Sequence, residues 1–376
     1  MALPPNSRRT LLIGGAAFLG TAMLGIGALL SRWSPGDPAP LVDVAGQPRP
    51  GSISERVYVM INGTRQGLII QSTDAAHPVL LFLHSGPGMP EFFLNTTHPS
   101  GLEQDFTVVW WEQRGAGLSF SPDIPPESMT VTQFIADTLG VTQYLRRRFG
   151  KDRIILLGHS WGSFLGIQVA AAAPDLFHAY VGMGQVSFQL RSEVAAHPAM
   201  LAQYRMRGDT AMVRKLEAAP VSMADGLSPA YLRLRDQAMH GLGCGATRDI
   251  ASVVTGVFLP VWQCPAYTIS EKVDIWRGLS FSRGFLWDTF LRTDLTRQIK
   301  ALDLPVYFLS GAHDLTANYG LSREFFDQIK APVKGFYTFR NSAHSPLIEE
   351  PGLGRNFLTR DVLSQETRLS DEPAMR

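Results

Sequence analysis

A serine between two glycines is the first candidate for chemistry in this chain of 376 residues. The segment from Ile154 to Ser163 reads IILLGHSWGS, an apolar run followed by the pattern G-x-S-x-G around Ser160. A serine can act as a nucleophile where a buried strand turns sharply into a helix, because the turn projects its hydroxyl above the sheet. Gly158 and Gly162 leave the backbone room for that turn. The pattern therefore predicts nucleophilic catalysis by Ser160.

Serine is a weak nucleophile unless a histidine takes its proton and a carboxylate orients that histidine. For a serine in such a turn, the acid and then the histidine follow along the chain. Asp314 comes shortly after the apolar run 306–309, and His344 comes after the last such run, 333–339. We therefore predict that His344 is the general base and that Asp314 orients it. The neighbouring His313 is expected to have no catalytic role.

Acyl transfer also requires N–H donors for the oxyanion that forms during the reaction. One donor is usually the backbone N–H of the residue after the nucleophile, which here is Trp161, and the other comes from the loop after an earlier strand. The apolar run 79–83 leads into the segment HSGPG, whose small residues let the backbone approach a ligand closely. Gly86 in this segment is the predicted second donor.

Apolar runs that alternate with helical patterns must position these residues. Runs without polar alternation, which are typical of strands buried on both faces, occur at 79–83, 106–111, 154–157 and 179–183. Helical patterns near 130–148 and 161–173 separate them, and two earlier runs, 55–61 and 66–72, flank an Asn-Gly pair that predicts an antiparallel hairpin. The order predicts an α/β fold with a mostly parallel, twisted sheet flanked by helices.

Between residues 190 and 300 the pattern changes to helical stretches without a recognisable buried strand. We interpret residues 190–300 as a helical cap that is inserted into a core formed by residues 53–189 and 301–366. A cap would explain why the chain exceeds the usual length of a single domain.

Composition argues against several other classes of protein. The 34 Lys+Arg and 33 Asp+Glu leave a net charge of +1, so the chain lacks the basic surface that nucleic-acid binding needs. Cys244 and Cys264 are too few for a cysteine-based metal site, and in an exported protein they could form a disulfide or stay reduced. We expect no cofactor, no metal and no nucleic-acid partner, and a small molecule or short peptide as substrate.

The N-terminal residues predict a targeting or anchoring segment. Residues 11–30 contain no charged side chain and are just long enough to cross a bilayer, and Arg8 and Arg9 precede them. The letters SRRTLL resemble a twin-arginine export signal. Residues 1–32 are therefore predicted to engage the export machinery or the membrane, and the Pro- and Gly-rich residues 33–52 to form a linker. Either alternative predicts a protein that is periplasmic or anchored to the outer side of the cytoplasmic membrane.

Three motifs occur in order along the chain: HSGPG at 84–88, WEQRGAGLS at 111–119 and GHSWGS at 158–163. Together they resemble the α/β-hydrolase fold family, most closely its proline iminopeptidase-like branch. With the loops of Asp314 and His344, the resemblance covers about residues 53–365. It implies a serine hydrolase of aminopeptidase type, with a helical cap inserted after the sixth strand.

The chain departs from that branch at positions that bear on the substrate. Ser85, Glu112 and His159 stand where members of the branch usually have Gly, Asp and Gly. Aminopeptidase members hold the substrate amine with the acid of a Trp-Glu pair in the cap, and residues 190–300 contain no such pair. The same region has 14 Lys+Arg against 10 Asp+Glu, a balance that does not favour a cationic substrate. The remaining candidates for holding an amine are Glu271, Asp274 and Asp288.

Aromatic residues of the cap are predicted to line an apolar pocket for the acyl or leaving group, although they could instead pack the cap onto the core; they are Phe281, Phe285, Trp287 and Phe290. Two substrate classes remain open: a peptide cleaved by an aminopeptidase, and a small apolar ester or lactone cleaved by a carboxylesterase or lactonase. A non-catalytic binding protein on the same scaffold is the alternative of another class. The presence of every predicted catalytic residue argues against it.

Overall fold

The centre of the molecule is a sheet of eight strands, seen in a computed structural model that describes Gly27 and residues 29–372. The strands of the chain are β1 (Ile53–Ile61), β2 (Thr64–Ser72), β3 (Val79–Leu83), β4 (Thr107–Glu112), β5 (Ile154–His159), β6 (Phe177–Met183), β7 (Val221–Ser222), β8 (Gly226–Leu227), β9 (Val306–Gly311) and β10 (Lys334–Phe339). The sheet order is β1-β2-β4-β3-β5-β6-β9-β10, while β7 and β8 form a separate hairpin. β2 is antiparallel to both neighbours, and all other pairs in the sheet are parallel. The predicted mostly parallel α/β sheet is confirmed.

Helices cover both faces of this sheet. They are α1 (Phe92–Thr97), α2 (Val131–Phe149), α3 (Trp161–Ala172), α4 (Gln189–Met206), α5 (Thr210–Glu217), α6 (Pro229–Leu242), α7 (Leu259–Gln263), α8 (Ile269–Arg292), α9 (Leu295–Gln298), α10 (Tyr319–Gln328), α11 (Pro346–Glu349) and α12 (Pro351–Phe357). Alternate residues of β3 belong to different apolar clusters: Leu81 and Leu83 pack with α2, α3 and α10, and Leu80 and Phe82 pack with α1, α11 and α12. Because side chains alternate along a strand, a sheet covered on both faces needs apolar residues at every position, which is why these runs lack polar alternation.

Residues 190–300, which are predicted to form the cap, contain the helices from α4 to α9, apart from Gln189 at the start of α4, and follow β6, the sixth strand. The first three of these helices enclose an apolar cluster of their own that includes Met200, Tyr204 and Tyr231. In contrast, α8 packs on the core through Leu286 and Phe290. The cap also contains the hairpin β7–β8, which is too short to produce a periodic pattern and which the sequence did not indicate.

The predicted linker is packed against the body of the protein. The ammonium group of Lys272, a side chain with no exposed surface, donates to the carbonyl oxygens of Trp33 and Trp262 and to the hydroxyl of Ser34. The Gly36 N–H donates to the carbonyl oxygen of Pro265. These bonds fix the beginning of the linker to the cap.

Most of the predicted signal or anchor, residues 1–32, lies outside the described residues, and so do Arg8 and Arg9. Within the part of the chain that is described, no helix is long and apolar enough to cross a membrane. Cys244 and Cys264 are both buried, free thiols.

Candidate active site

Ser160 stands at the junction of β5 and α3 with a backbone conformation that non-glycine residues rarely adopt. Its φ is 55° and its ψ is −116°. The turn is possible because α3 begins directly on the sheet: a Cβ atom at Gly162 would clash with the carbonyl oxygen of Leu83 in β3. The Ser160 N–H donates to the carbonyl oxygen of Met183, 3.0 Å away at the end of β6. This turn places the serine side chain above the carboxyl edge of the sheet.

Asp314 and His344 approach each other at the same edge. His344 Nδ1 donates to Asp314 Oδ2 over 2.8 Å, and Asp314 Oδ1 accepts from the backbone N–H groups of Thr316 and Ala317 at 2.7 and 3.0 Å. Burial alone would raise the pKa of the Asp314 carboxyl, but the charge and hydrogen bond of His344 and these two amides lower it. The loop of His344 lies against the end of β9, where a Cβ atom at Gly311 would clash with the Ala343 carbonyl. Asp314 is thus held as a carboxylate that orients His344.

The other ring nitrogen of His344 has no partner in the part of the chain that the structure describes. His344 Nε2 is buried, and no described residue forms a hydrogen bond with it. His344 and Ser160 both line a cavity of about 240 Å³ under the cap. Hydrogen bonds between a catalytic base and its nucleophile are often long without substrate and tighten in the complex. In contrast, the neighbouring His313 is exposed to solvent.

Of the two predicted oxyanion donors, Gly86 lines the cavity, and Trp161 directly follows the cavity residue Ser160. The N–H of Trp161 belongs to the first residue of α3, where a helix has no internal acceptor for it. Gln113 connects the two segments, because its Oε1 accepts from the Trp161 indole over 2.8 Å while its Nε2 donates to the carbonyl oxygen of His84 over 3.2 Å. Within the described residues, neither the Gly86 N–H nor the Trp161 N–H has a hydrogen-bond partner.

A buried ion pair supports the loop of His344. His159 Nε2 donates to the carbonyl oxygen of His344 over 2.8 Å, and His159 Nδ1 donates to Glu91 Oε1 over 2.7 Å. Burial alone would lower the pKa of His159, but the charge and hydrogen bond of Glu91 raise it, as expected for a ring that donates from both nitrogens. The imidazolium of His159 thus takes the place of the small residue that is usual before the nucleophile. Its ring centre lies 4.8 Å from that of His344.

A second buried carboxyl, that of Glu112, closes the loop after β4. The Leu118 N–H donates to Glu112 Oε2 and the Tyr267 hydroxyl donates to Glu112 Oε1, each over 2.5 Å. Burial raises the pKa of this carboxyl to about 8. Because Tyr267 precedes α8, the carboxyl also connects the core to the cap.

One face of α8 forms a wall of the cavity. Its residues follow the helical period and are Trp276, Leu279, Arg283, Trp287 and Phe290. Trp287 and Phe290 therefore line the cavity, whereas Phe281 and Phe285 do not. Phe281 lines a separate surface depression, and Phe285 is 44% exposed. The reason is helical geometry, since each residue turns the side-chain direction by about 100° and places these two rings on other faces.

The three acids considered for amine binding are engaged elsewhere. Glu271 forms an ion pair with Arg56 at 2.8 Å, and Asp274 and Asp288 form ion pairs with arginines of their own helix. Sequence reasoning missed the charged residues that do line the cavity, Arg235, Asp236 and Arg283. The spacing of Arg283 from Trp287 could have indicated that both lie on one face of α8. Nothing in the sequence, however, shows which face of a helix meets the cavity. Among the described residues, no group of His, Cys, Asp and Glu could hold a metal ion.

Comparison with known proteins agrees with this geometry. The model of the α/β hydrolase fold family matches residues 78–351, and the chain belongs to that family. It is 34% identical over 315 residues to the probable aminopeptidase YbaC of Bacillus subtilis, covering 83% of this chain and 98% of the relative. The proline iminopeptidase of Lactobacillus delbrueckii subsp. lactis is 24% identical, with coverage of 80% and 94%.

A solved structure shares the fold. The proline iminopeptidase-related protein of Thermus thermophilus superimposes with a TM-score of 0.58 at 22% identity, covering 83% of this chain and 98% of that one. The predicted family, including its likeness to proline iminopeptidases, is confirmed, and the protein is an enzyme of the α/β-hydrolase class.

Glu112 predicts how stability depends on pH. Its carboxyl has an ordinary pKa of 4.5 and a pKa of about 8 in the folded protein, so folding favours the protonated form. This contribution is complete below pH 4.5 and is lost as the pH rises through about 8. In Glu112→Gln an uncharged amide of similar shape replaces the protonated carboxyl. Over this pH range we expect the free energy of unfolding of the unmodified protein to fall by an amount on the order of a few kcal/mol. The free energy of unfolding of Glu112→Gln is expected to lack this fall.

The measurement is urea unfolding at half-unit steps from pH 4.5 to 9, with Glu103→Gln as a control in a carboxylate near the surface. Identical pH profiles for the unmodified protein and Glu112→Gln would contradict the assignment.

Proposed function

We propose that the protein is a serine hydrolase in which Ser160, His344 and Asp314 cleave an acyl bond. The observation that carries the proposal is the unpartnered His344 Nε2, which shares a cavity with Ser160 while Nδ1 is bound by the Asp314 carboxylate. A histidine with one nitrogen fixed and the other free beside a serine is arranged to accept the serine proton.

In the proposed reaction, Ser160 Oγ attacks the substrate carbonyl and passes its proton to His344 Nε2. The resulting oxyanion accepts hydrogen bonds from the N–H groups of Gly86 and Trp161. His344 then protonates the leaving group, and an acyl-enzyme on Ser160 remains. Water, deprotonated by His344, attacks that ester and releases the acid, which restores the serine hydroxyl. Asp314 stabilises the imidazolium form in both halves of the cycle.

The favoured substrate is a short peptide, cleaved after a small apolar N-terminal residue. Support comes from the relatives, which are named as a probable aminopeptidase and as proline iminopeptidases. A second candidate is the hydrolysis of a small apolar ester, because Glu271, Asp274 and Asp288 lie away from the cavity and Asp236, which lines it, is bound by Arg235. The intact set of catalytic groups argues against a purely binding function.

Substitution of the nucleophile and of the base tests the proposal. Ser160→Ala and His344→Ala are each expected to lower kcat on prolyl and alanyl p-nitroanilides and on p-nitrophenyl esters by about 10⁴-fold or more, because the acyl-enzyme cannot form. His313→Ala is the matched control, since it removes an exposed histidine beside Asp314.

Full turnover by Ser160→Ala would overturn the proposal. If only the esters are hydrolysed, the second candidate replaces the first.

We also propose that residues 1–32 direct export or anchoring, a proposal supported by Arg8, Arg9 and the uncharged residues 11–30. In a bacterial host with the twin-arginine machinery, the full chain is expected outside the cytoplasm or in the membrane fraction. The double variant R8K/R9K is expected to remain in the cytoplasm, whereas the control Arg32→Lys is exported normally. Equal distribution of the unmodified chain and R8K/R9K would contradict the use of a twin-arginine signal.

A further inference from the structure

The cavity wall contains a guanidinium group that forms no ion pair with any described residue. Arg283 lies on α8 between Leu279 and Trp287, on the face that lines the cavity. Its guanidinium carbon lies 4.8 Å from the centre of the Trp287 ring. With the described residues Arg283 forms neither a hydrogen bond nor an ion pair.

The second arginine of the cavity is already neutralised. Arg235 Nε donates to Glu193 Oε1 over 2.7 Å, and Arg235 Nη1 donates to Asp236 Oδ1 over 2.9 Å. Glu193 has no exposed surface and also accepts from the Tyr231 hydroxyl over 2.8 Å. Asp236 lies close enough to influence Arg283, but its hydrogen bond is to Arg235.

The other cations of α8 show that an unpaired arginine is unusual on this helix. Arg277 and Arg292 form ion pairs with Asp274 and Asp288 at 2.8 and 2.7 Å, and both pairs lie outside the cavity. Lys272 has three oxygen partners. Of the described Lys and Arg residues of α8, only Arg283 faces the cavity.

The surroundings of Arg283 favour an anion that arrives with the substrate. Partial burial and the nearby charge of Arg235 lower the pKa of its guanidinium, whereas the charges of Asp236 and Glu193 raise it. The residue is exposed, so its cation is accessible to a ligand and has no fixed partner among the described residues. The Trp287 ring stabilises the cation, and no described residue forms a hydrogen bond with the N–H edge of the guanidinium. That edge presents paired N–H donors that match a carboxylate.

We propose that Arg283 binds a carboxylate of the substrate, so that the preferred substrate is an acyl compound with a free carboxylate away from the bond that is cleaved. The inference rests on the proposed hydrolase function and narrows its substrate class. The carboxylate can come from the leaving group, as in a dipeptide, or from the acyl group, as in a monoester of a dicarboxylic acid. The excess of Lys and Arg over Asp and Glu in residues 190–300 gives the cap the positive charge that favours binding of a carboxylate.

Matched substrate pairs test the proposal and separate the two sources. The first pair is prolyl-alanine and prolyl-alaninamide, and the second is the p-nitrophenyl monoester of glutaric acid and p-nitrophenyl pentanoate. The quantity compared is the ratio of kcat/KM for the carboxylate to kcat/KM for its neutral partner. We expect this ratio to favour the carboxylate in at least one pair, which then identifies the source.

Arg283→Gln is expected to lower the favourable ratio about tenfold to a hundredfold, mainly through KM, because a charge-assisted hydrogen-bond pair is lost. Arg283→Lys keeps the charge without the paired donors, so its ratio is expected to lie between that of the unmodified protein and that of Arg283→Gln. Arg292→Gln, which removes an arginine of the same helix outside the cavity, is the control and is expected to keep the original ratio. A ratio that does not favour the carboxylate in either pair, or that Arg283→Gln leaves unchanged, would overturn the proposal.

A binding measurement separates failure of this inference from failure of the proposed function. By calorimetry, 4-phenylbutyrate is expected to bind the unmodified protein more tightly than 4-phenylbutyramide does, and Arg283→Gln is expected to abolish the difference. This result would support the subsite even if Ser160 proved not to be a nucleophile. Equal affinities for the acid and the amide in the unmodified protein would contradict it.

Discussion

The arrangement of the site depends on the backbone of Ser160, which is held at φ 55° where β5 passes into α3. A non-glycine residue pays a steric cost in such a conformation, so the surrounding structure must enforce it. The contact between the start of α3 and the end of β3 enforces this backbone conformation, because only glycine fits at position 162. The same contact leaves the Trp161 N–H at the open end of the helix beside the Gly86 loop. The proposed nucleophile and the proposed oxyanion donors are therefore positioned by one packing constraint.

The remaining groups reach the site because parallel strands end at a common edge. Asp314 follows β9 and His344 follows β10, and each is fixed by hydrogen bonds within or between loops. Two buried carboxyls stabilise loops near this edge in different ways. Glu91 remains charged beside His159, which supports the loop of His344, and Glu112 in the loop after β4 is favoured in its protonated form beside Tyr267. The core thereby provides the edge that carries Ser160, Asp314 and His344, while the cap provides most of the cavity wall.

Sequence reasoning predicted the parts of this structure that local patterns determine. The run at β3 has the predicted bounds, the glycine-flanked serine lies at the predicted strand-to-helix turn, and the family is confirmed. It did not predict the short helix α1 or the hairpin β7–β8, because neither is long enough to show a period. Phe281 and Phe285 were assigned to the cavity because the sequence does not show which face of α8 is turned inward. Ion-pair partners are also set by tertiary packing, which is why the unpaired state of Arg283 is visible only in the structure.

Peptide mapping by mass spectrometry after reaction with a fluorophosphonate would show directly whether Ser160 is the nucleophile that forms a covalent acyl-enzyme. Such a reagent reacts with a serine whose proton has a base to accept it and whose oxyanion site is intact. We expect one adduct per chain, located at Ser160, and none in His344→Ala under the same conditions. An adduct at another residue, or an active enzyme that forms none, would contradict this role of Ser160.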